Sequence, residues 1–235
     1  MARVMRRQGE YLRREADRSL LTCLAGLLAG LLAVVVHPLL VLLGFIPLAR
    51  VVMSSYQRYA RYRKGFHGEQ EVSRALQNLG DTYYVVNDAR IPGGNIDHIV
   101  LGPNGVFVLE TKNFTGRVRC EGDRWVDRRD RDIRRSPSLQ VKRNAARVRE
   151  RVREFERTLL KEFPRIGWVH AMVVLSDPEV QVNLRSPAVQ VVRVGELVDA
   201  IKATPSSVNL PPAALTKIGL ALQGMGGVNA RSPVP

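Results

Sequence analysis

The sequence predicts an α/β protein that follows an apolar, membrane-type segment, and three observations support this prediction. Short β-branched runs alternate with helical patterns from residue 83 onward, in the order strand, hairpin, helix, strand, strand. No Asp, Glu, Lys or Arg occurs from Leu20 to Ala49. The chain of 235 residues carries a formal net charge of +14, which indicates an anionic partner, either nucleic acid or anionic lipid.

Changes of composition divide the chain into five parts. The order is a basic N-terminal segment, a transmembrane segment, a juxtamembrane linker, the α/β domain and a C-terminal tail, at residues 1–19, 20–53, 54–65, 66–203 and 204–235. The tail mixes Pro, Gly and Ser with one helical candidate, Ala213 to Leu222, and we expect the rest of it to be loose.

The transmembrane segment is long enough to cross a bilayer, because about 20 apolar residues suffice for a helix. His37-Pro38 falls in the middle of the run and predicts a break or a kink there. Basic residues flank both ends, so the excess of positive charge on cytoplasmic loops favours a helical hairpin over a single tilted span. We therefore predict localisation in the cell membrane, with membrane lipid as a partner and the α/β domain on the cytoplasmic side.

Small residues recur every four positions in this segment, at Ala25-Gly26, Ala29-Gly30 and Ala33. Such spacing is typical of closely packed membrane helices, and it predicts that the segment supports a homo-oligomer. Cys23 lies within the segment and Cys120 in the α/β domain, so we expect no disulfide between them.

Helices and strands of the α/β domain follow from hydrophobic periodicity. Val72, Leu76 and Leu79 share one face of a predicted helix, and the apolar residues after Leu139 recur at alternating fours and threes. The predicted order is helix 68–79, strand 83–87, loop 90–95, hairpin 96–113, helix 139–163, strands 169–175 and 189–194, and a terminal helix from 195.

The hairpin carries the candidate chemistry. Gly102-Pro103-Asn104-Gly105 has the residues of a type I turn, and pairing about Pro103 and Asn104 puts Asp97 opposite Glu110 on one face of the sheet. Opposed carboxylates cost a hairpin about 0.2–1 kcal/mol unless a cation lies between them. Oxygen ligands of this kind suit Mg²⁺ or Mn²⁺ better than zinc. In the alternative interpretation, the two acids are rim residues that Lys112, which projects from the same face, neutralises.

A wider pattern surrounds these residues and resembles a known family. It comprises His67-Gly68-Glu69-Gln70-Glu71-Val72, Asn87-Asp88, Ile96-Asp97-His98-Ile99-Val100, Gly102-Pro103, Gly105 to Asn113, Gly116, Trp125, Ser136-Pro137 and Gln140. Asp97 followed one strand later by Glu110-Thr111-Lys112 is the signature of the PD-(D/E)xK nuclease superfamily. The whole series resembles the nuclease-related domain (NERD) family over about residues 65 to 200.

The resemblance implies a restriction-endonuclease-like fold, with a mixed central sheet flanked by helices. It also implies that Asp97, Glu110 and Glu69 hold Mg²⁺ or Mn²⁺, and that Lys112 orients the attacking water and stabilises charge on the phosphate. Gln140 would reach the site or the nucleic-acid backbone. The implied activity is a metal-dependent nuclease that hydrolyses phosphodiester bonds, with DNA as the expected substrate.

Other interpretations stay open. The chain could be a non-catalytic module that recruits nucleic acid or protein to the membrane, although such a module has no need of opposed acids and a lysine on one face. Arg117 to Arg135 mixes arginines with acids and predicts a solvated loop with internal ion pairs. Trp125 within that loop could stack on a base, but packing over a strand edge is the commoner role of such a residue.

Overall fold

The computed structural model describes residues 3–4, 10–36, 38–91, 94–158, 165–166, 168–205 and 209–224. These residues form two compact units. The first lies within residues 9–67, and the second comprises the residues from Gly68 onward together with Arg3–Val4.

The first unit contains two helices, α1 (Glu10–Val36) and most of α2 (Pro38–Leu76). Their contacts are those of an antiparallel helical hairpin. The Cys23 Sγ lies 3.8 Å from the Val52 carbonyl oxygen, and a Cβ atom on Gly30 would lie 2.5 Å from Leu48. His37, at which a break was predicted, lies outside the described residues, but one helix ends before it and the next begins after it.

Small residues on α1 serve packing inside the chain. Gly26 and Gly30 both face α2, where a Cβ atom would crowd Val52 and Leu48. Self-association of this segment stays a prediction. Seven leucines of α1 have exposed side chains: Leu20, Leu21, Leu24, Leu27, Leu28, Leu31 and Leu32. Within the part of the chain that the structure describes, no helix combines the length and the apolar character that crossing a membrane requires.

Helix α2 is longer than expected. The sequence pattern predicted a linker at 54–65 and a separate helix from residue 68, but α2 continues without interruption to Leu76, and a short 3₁₀ turn then covers Gln77–Leu79. Good helix formers such as Arg, Gln and Lys occupy the predicted linker, and the only glycine between Ser54 and His67 is Gly65.

A six-stranded mixed sheet forms the centre of the second unit. The strands are β1 (Arg3–Val4), β2 (Tyr84–Ile91), β3 (Gly94–Gly102), β4 (Gly105–Lys112), β7 (Val169–Leu175) and β9 (Gln190–Arg193), in the spatial order β1-β2-β3-β4-β7-β9. β2, β3 and β4 pair antiparallel, whereas β4, β7 and β9 pair parallel. This arrangement confirms the predicted mixed α/β sheet flanked by helices.

Side-chain alternation divides the core between the two faces of this sheet. On one face, Ile99, Val106 and Val108 pack with Val141 and Val148 of helix α3 (Pro137–Thr158). On the other face, the strand residues Val100, Phe107 and Leu109 belong to a core that also contains Val72 and Leu76 of α2 and Leu197 and Ile201 of α4 (Leu197–Ala203).

A second, three-stranded sheet was not predicted. It consists of β5 (Arg117–Gly122), β6 (Arg124–Val126) and β8 (Gln181–Pro187), in the order β6-β5-β8. The expected loop over Arg117 to Arg135 is therefore partly a hairpin. The expected ion pairs are present, between Arg119 and Asp130, Arg124 and Asp132, and Arg131 and Asp127.

The helix predicted at Ala213 to Leu222 is confirmed, and most of the tail that was expected to be loose, residues 206–208 and 225–235, lies outside the described residues. Helix α5 (Pro212–Gly224) packs against β2, and Leu210, Leu215 and Ile218 are buried in the core on the α3 side. The segment predicted as a loop at 90–95 contributes strand residues, because Arg90 pairs with Asn95 and Ile91 with Gly94. Residues 92–93, and the predicted end of α3 at 159–163, lie outside the described residues.

Candidate active site

The β3–β4 hairpin brings two acids together in the register that the turn predicts. The ladder runs from Gly102 and Gly105 to His98 and Leu109, and one further step places Asp97 opposite Glu110. Both side chains belong to the face that carries Ile99, Val106 and Val108, which is the face that α3 covers.

Three of the predicted residues form one chain of hydrogen bonds. The Lys112 ammonium donates to Oε1 of Glu110 in a close ion pair, and it lies 3.5 Å from Oε1 of Gln140 on α3. Asp97 is held separately, because the backbone N–H of Thr111 donates to its Oδ2 at 2.7 Å. Within β4, the backbone N–H of Thr111 thus holds Asp97, and the side chain of Glu110 holds Lys112.

Gln140 is placed by the start of α3. Ser136 caps this helix by accepting a hydrogen bond at 3.3 Å from the N–H of Leu139, and Pro137 occupies the first helical position, where a missing N–H costs nothing. The Trp125 indole then donates to the Ser138 hydroxyl at 2.8 Å. Trp125 is buried. It therefore has the packing role that was predicted as the commoner one, rather than a role in stacking on a base.

Glu69 approaches the same acids from α2. Gly68 precedes it, and a Cβ atom there would lie 2.4 Å from the Ser176 hydroxyl and 3.2 Å from Asn113, the residues that follow β7 and β4. Glycine therefore allows this part of α2 close to the strand ends. Burial, followed by the negative charges of Asp97, Asp88 and Glu110, raises the pKa of Glu69 to about 9 against the opposing effect of Lys112.

The other charged groups respond to the same crowding. Burial, followed by repulsion from Asp97, raises the pKa of Glu110 to about 8, against the opposing effect of Lys112. Burial also raises the pKa of Asp97. Burial alone would lower the pKa of Lys112, but Glu110 and Asp97 outweigh it and raise the pKa above its usual value. The ammonium form of Lys112 is therefore favoured in this cluster.

One oxygen of the cluster is unsatisfied. Glu110 is 1% exposed, and its Oε2 atom has no hydrogen-bond partner among the described residues, a state that normally costs a buried polar group about 1–3 kcal/mol. A divalent cation supplies what such an oxygen lacks, and crowded carboxylates favour a hard ion. The donor set therefore fits Mg²⁺ or Mn²⁺ in its chemistry.

The geometry is not that of a preformed metal centre. No group of three or more His, Cys, Asp or Glu side chains in the described ranges is arranged to hold a metal ion. In the metal-free chain Lys112 is bound to one oxygen of Glu110. A cation could therefore be held by these carboxylates only if their side chains shifted from the positions that they have here.

Asp88 also belongs to this neighbourhood, although no role was predicted for it from the sequence. Its charge raises the pKa of both Glu69 and Asp97. The position of Asp88 depends on the register of β2 against β3, and the sequence does not show how long the connection between these two strands is. The side chain of His98, by contrast, lies on the opposite face of β3 from that of Asp97, and its Nδ1 atom forms a hydrogen bond of 2.8 Å with Asn87.

Comparison with known proteins finds similarity over the part of the chain that carries these residues. Residues 64–176 match the family model described as NERD, nuclease-related domain. This part of the chain is therefore similar to nuclease-related domains. The chain is also similar to an uncharacterized protein of Bacillus anthracis, with 35% identity over 91 residues; the match covers 36% of this chain and 41% of that protein. The chain thus spans less than half the length of this curated relative. No solved structure matches the chain.

Proposed function

We propose that the chain is a metal-dependent nuclease that hydrolyses phosphodiester bonds of nucleic acid, with DNA as its main substrate. The observation that carries the proposal is the buried, unpartnered Oε2 of Glu110 beside Asp97, Lys112 and Gln140. The match of residues 64–176 to a nuclease-related domain supports it.

Asp97 and Glu110, with Glu69, are the residues that would hold the cation. A bound Mg²⁺ or Mn²⁺ supplies a hydroxide-like nucleophile near neutral pH and offsets charge on the phosphoryl oxygens. The chain's own groups orient the reaction. The Thr111 N–H holds one oxygen of the Asp97 carboxylate, and the Lys112 ammonium, which remains protonated, positions water and stabilises negative charge on the phosphate.

Gln140 acts on Lys112 in this scheme. Its amide oxygen lies 3.5 Å from the ammonium and is the second acceptor beside Glu110. When the Glu110 carboxylate is engaged elsewhere, Gln140 remains to hold Lys112 in the site. We therefore assign Gln140 a positioning role.

The surface near the site favours a polyanionic substrate. Helix α3 carries seven Lys and Arg side chains against three Glu, and Lys142 and Arg143 are exposed within one turn of Gln140. The whole chain carries +14. Such a surface binds nucleic-acid phosphates without reading sequence, and this binding weakens as salt rises.

The test uses the full chain with linear duplex, circular and single-stranded DNA and with RNA, in Mg²⁺, in Mn²⁺ and in EDTA. We expect metal-dependent cleavage, with DNA preferred, that falls by 100-fold or more in Asp97→Asn and Lys112→Met. Asp132→Asn and Lys202→Met, which change exposed residues outside both the carboxylate cluster and the basic surface of α3, are the matched controls and should keep most of the activity.

A second candidate is a binding module that does not cut. The absence of a ready metal group among the described residues favours it. Salt-dependent binding of nucleic acid without cleavage of any of these substrates, in either metal, would support this candidate and refute the nuclease proposal.

We also propose that residues 20–49 attach the chain to the cell membrane as a helical hairpin, with the nuclease-related domain on the cytoplasmic side. The seven exposed leucines of α1 and the absence of charged residues in this stretch support attachment. Flotation of the full chain with liposomes in 1 M salt tests it. The Leu24→Asp/Leu28→Asp/Leu31→Asp variant should stay with the soluble fraction, and flotation that survives these three changes would refute the proposal.

A further inference from the structure

Asp88 has an unusual backbone for a strand residue. Its φ angle is +50°, in the left-handed region that side chains other than glycine rarely adopt, and it lies inside β2. Strained residues of this kind concentrate at functional sites, where the surrounding structure holds them in place. The strain alone does not identify a ligand, but it raises the question of what Asp88 faces.

The sheet register answers this question. β2 pairs Asn87 with His98 and Ala89 with Ile96, so that Asp88 falls opposite Asp97 between the two pairs. Asp97 in turn falls opposite Glu110 one step beyond the β3–β4 ladder. Three neighbouring strands therefore each place one acid at the same level of the sheet.

The Asp88 side chain is buried and held in a fixed position. It is 6% exposed, and the side-chain amide of Asn95 donates to its Oδ1 at 2.5 Å. The carbonyl oxygen of Asn95 accepts a hydrogen bond at 3.5 Å from Asn144 on α3, the helix that also carries Gln140. The negative charge of Asp88 raises the pKa of both Glu69 and Asp97, which agrees with the register that sets Asp88 opposite Asp97.

An independent observation indicates that this cluster has a ligand. The Oε2 atom of Glu110 is fully buried and has no hydrogen-bond partner among the described residues. With its carboxylates deprotonated, a cluster that has one lysine and several acids would carry an excess of negative charge, which a cation would offset.

We propose that Asp88 is a further carboxylate of the divalent-cation site, with Asn95 as its positioning residue. This inference rests on the proposed nuclease function and extends its metal site from β3 and β4 to β2. Asp88 adds negative charge beside Asp97, and the Asn95 amide fixes the direction of the carboxylate so that one oxygen stays bound to the protein. Loss of the Asp88 charge should therefore weaken the affinity for the cation while the fold remains.

The test measures Mn²⁺ binding to the full chain at pH 7.5 by titration calorimetry and by the electron paramagnetic resonance signal of free Mn²⁺. We expect Asp88→Asn to weaken binding about tenfold or more, because changes next to metal ligands commonly cost 10–100-fold in affinity. Asparagine tolerates a positive φ, so this variant removes the charge and keeps the backbone. Asp130→Asn is the matched control, since Asp130 also has a positive φ, of 56°, but is exposed and ion-paired to Arg119.

Each outcome decides between the inference and the function on which it rests. If the wild type binds Mn²⁺ and Asp97→Asn weakens binding, but Asp88→Asn retains wild-type affinity, the inference is overturned and the nuclease proposal stands. If the wild type binds no Mn²⁺, both fail. If Asp88→Asn does not fold, as judged by circular dichroism, Asn95→Ala decides instead: a several-fold loss of affinity supports the inference, and an unchanged affinity overturns it.

Discussion

Replacement of Glu69 by Gln should stabilise the metal-free protein at neutral and alkaline pH. Burial and three neighbouring carboxylates raise the pKa of Glu69 from 4.5 to about 9 in the folded chain. Between these two values the folded chain holds a proton that the unfolded chain has released. The free energy of unfolding therefore falls as pH rises from about 4.5 toward 9, by about 1.4 kcal/mol per pH unit for this group.

The magnitude follows from the same shift. At pH 7.5 the carboxyl group lies three pH units above its ordinary pKa, which corresponds to an upper bound of about 4 kcal/mol. Glu69 is only partly buried, so we take half of this value, about 2 kcal/mol, or roughly 4–8 °C in melting temperature for a domain of this size. Glutamine has the shape of the protonated acid and carries no charge to desolvate.

The assay is urea and thermal unfolding of both proteins in EDTA at pH 5 and pH 7.5. Glu69→Gln should be more stable than the wild type at pH 7.5, and the difference should shrink to below about 0.7 kcal/mol at pH 5, where the unfolded state also holds most of the proton. Glu71→Gln, an exposed position on the same helix, is the matched control and should change stability by less than about 0.5 kcal/mol at both values. A Glu69→Gln protein that is no more stable than the wild type at pH 7.5, or whose gain does not depend on pH, would refute the reasoning.

Three further predictions concern the scaffold. Trp125→Phe should cost about 1–3 kcal/mol in urea unfolding, since it leaves the buried Ser138 hydroxyl without its indole donor, and an unchanged midpoint would contradict this. Gly30→Val should lower the thermal stability of the helical hairpin, measured by circular dichroism in detergent, because its Cβ would lie 2.5 Å from Leu48, whereas equal melting would show that α1 and α2 do not pack there. The His98 ring should stay neutral from pH 8 to pH 5, because burial lowers its pKa to about 3, and an NMR titration midpoint near 6.5 would be the opposite result.

The hairpin that carries the acids could be predicted from the sequence because its turn fixes its register. Pro103 and Asn104 at the centre of a short turn determine which residues face each other, and the observed ladder from Gly102 to His98 agrees with this pairing. The long helix α3 was equally accessible, since a single apolar stripe marks one face among many charges.

Elements whose stability depends on distant partners could not be predicted in this way. Strand β5 alternates the buried Val118 and Cys120 with arginine and glutamate, and it is paired with β8, some 60 residues away in sequence. Its local pattern is weak because the surface side chains dominate its composition. Asp88 escaped assignment for another reason: its positive φ breaks the alternation from which strand faces are predicted.

The contact between Trp125 and Ser138 also sets the phase of a helix. Because an α-helix turns by 100° per residue, a shift of the first turn of α3 by one position would move Gln140 away from Lys112. The apolar face of the helix could still pack against the large sheet after such a shift. The small sheet that holds Trp125 therefore fixes the rotation of α3 about its axis relative to the large sheet. Insertions between Val126 and Ser136 should be tolerated as long as they leave the contact between Trp125 and Ser138 in place. Deletion of a single residue between Ser136 and Gln140, by contrast, would alter the site without changing any of its acids.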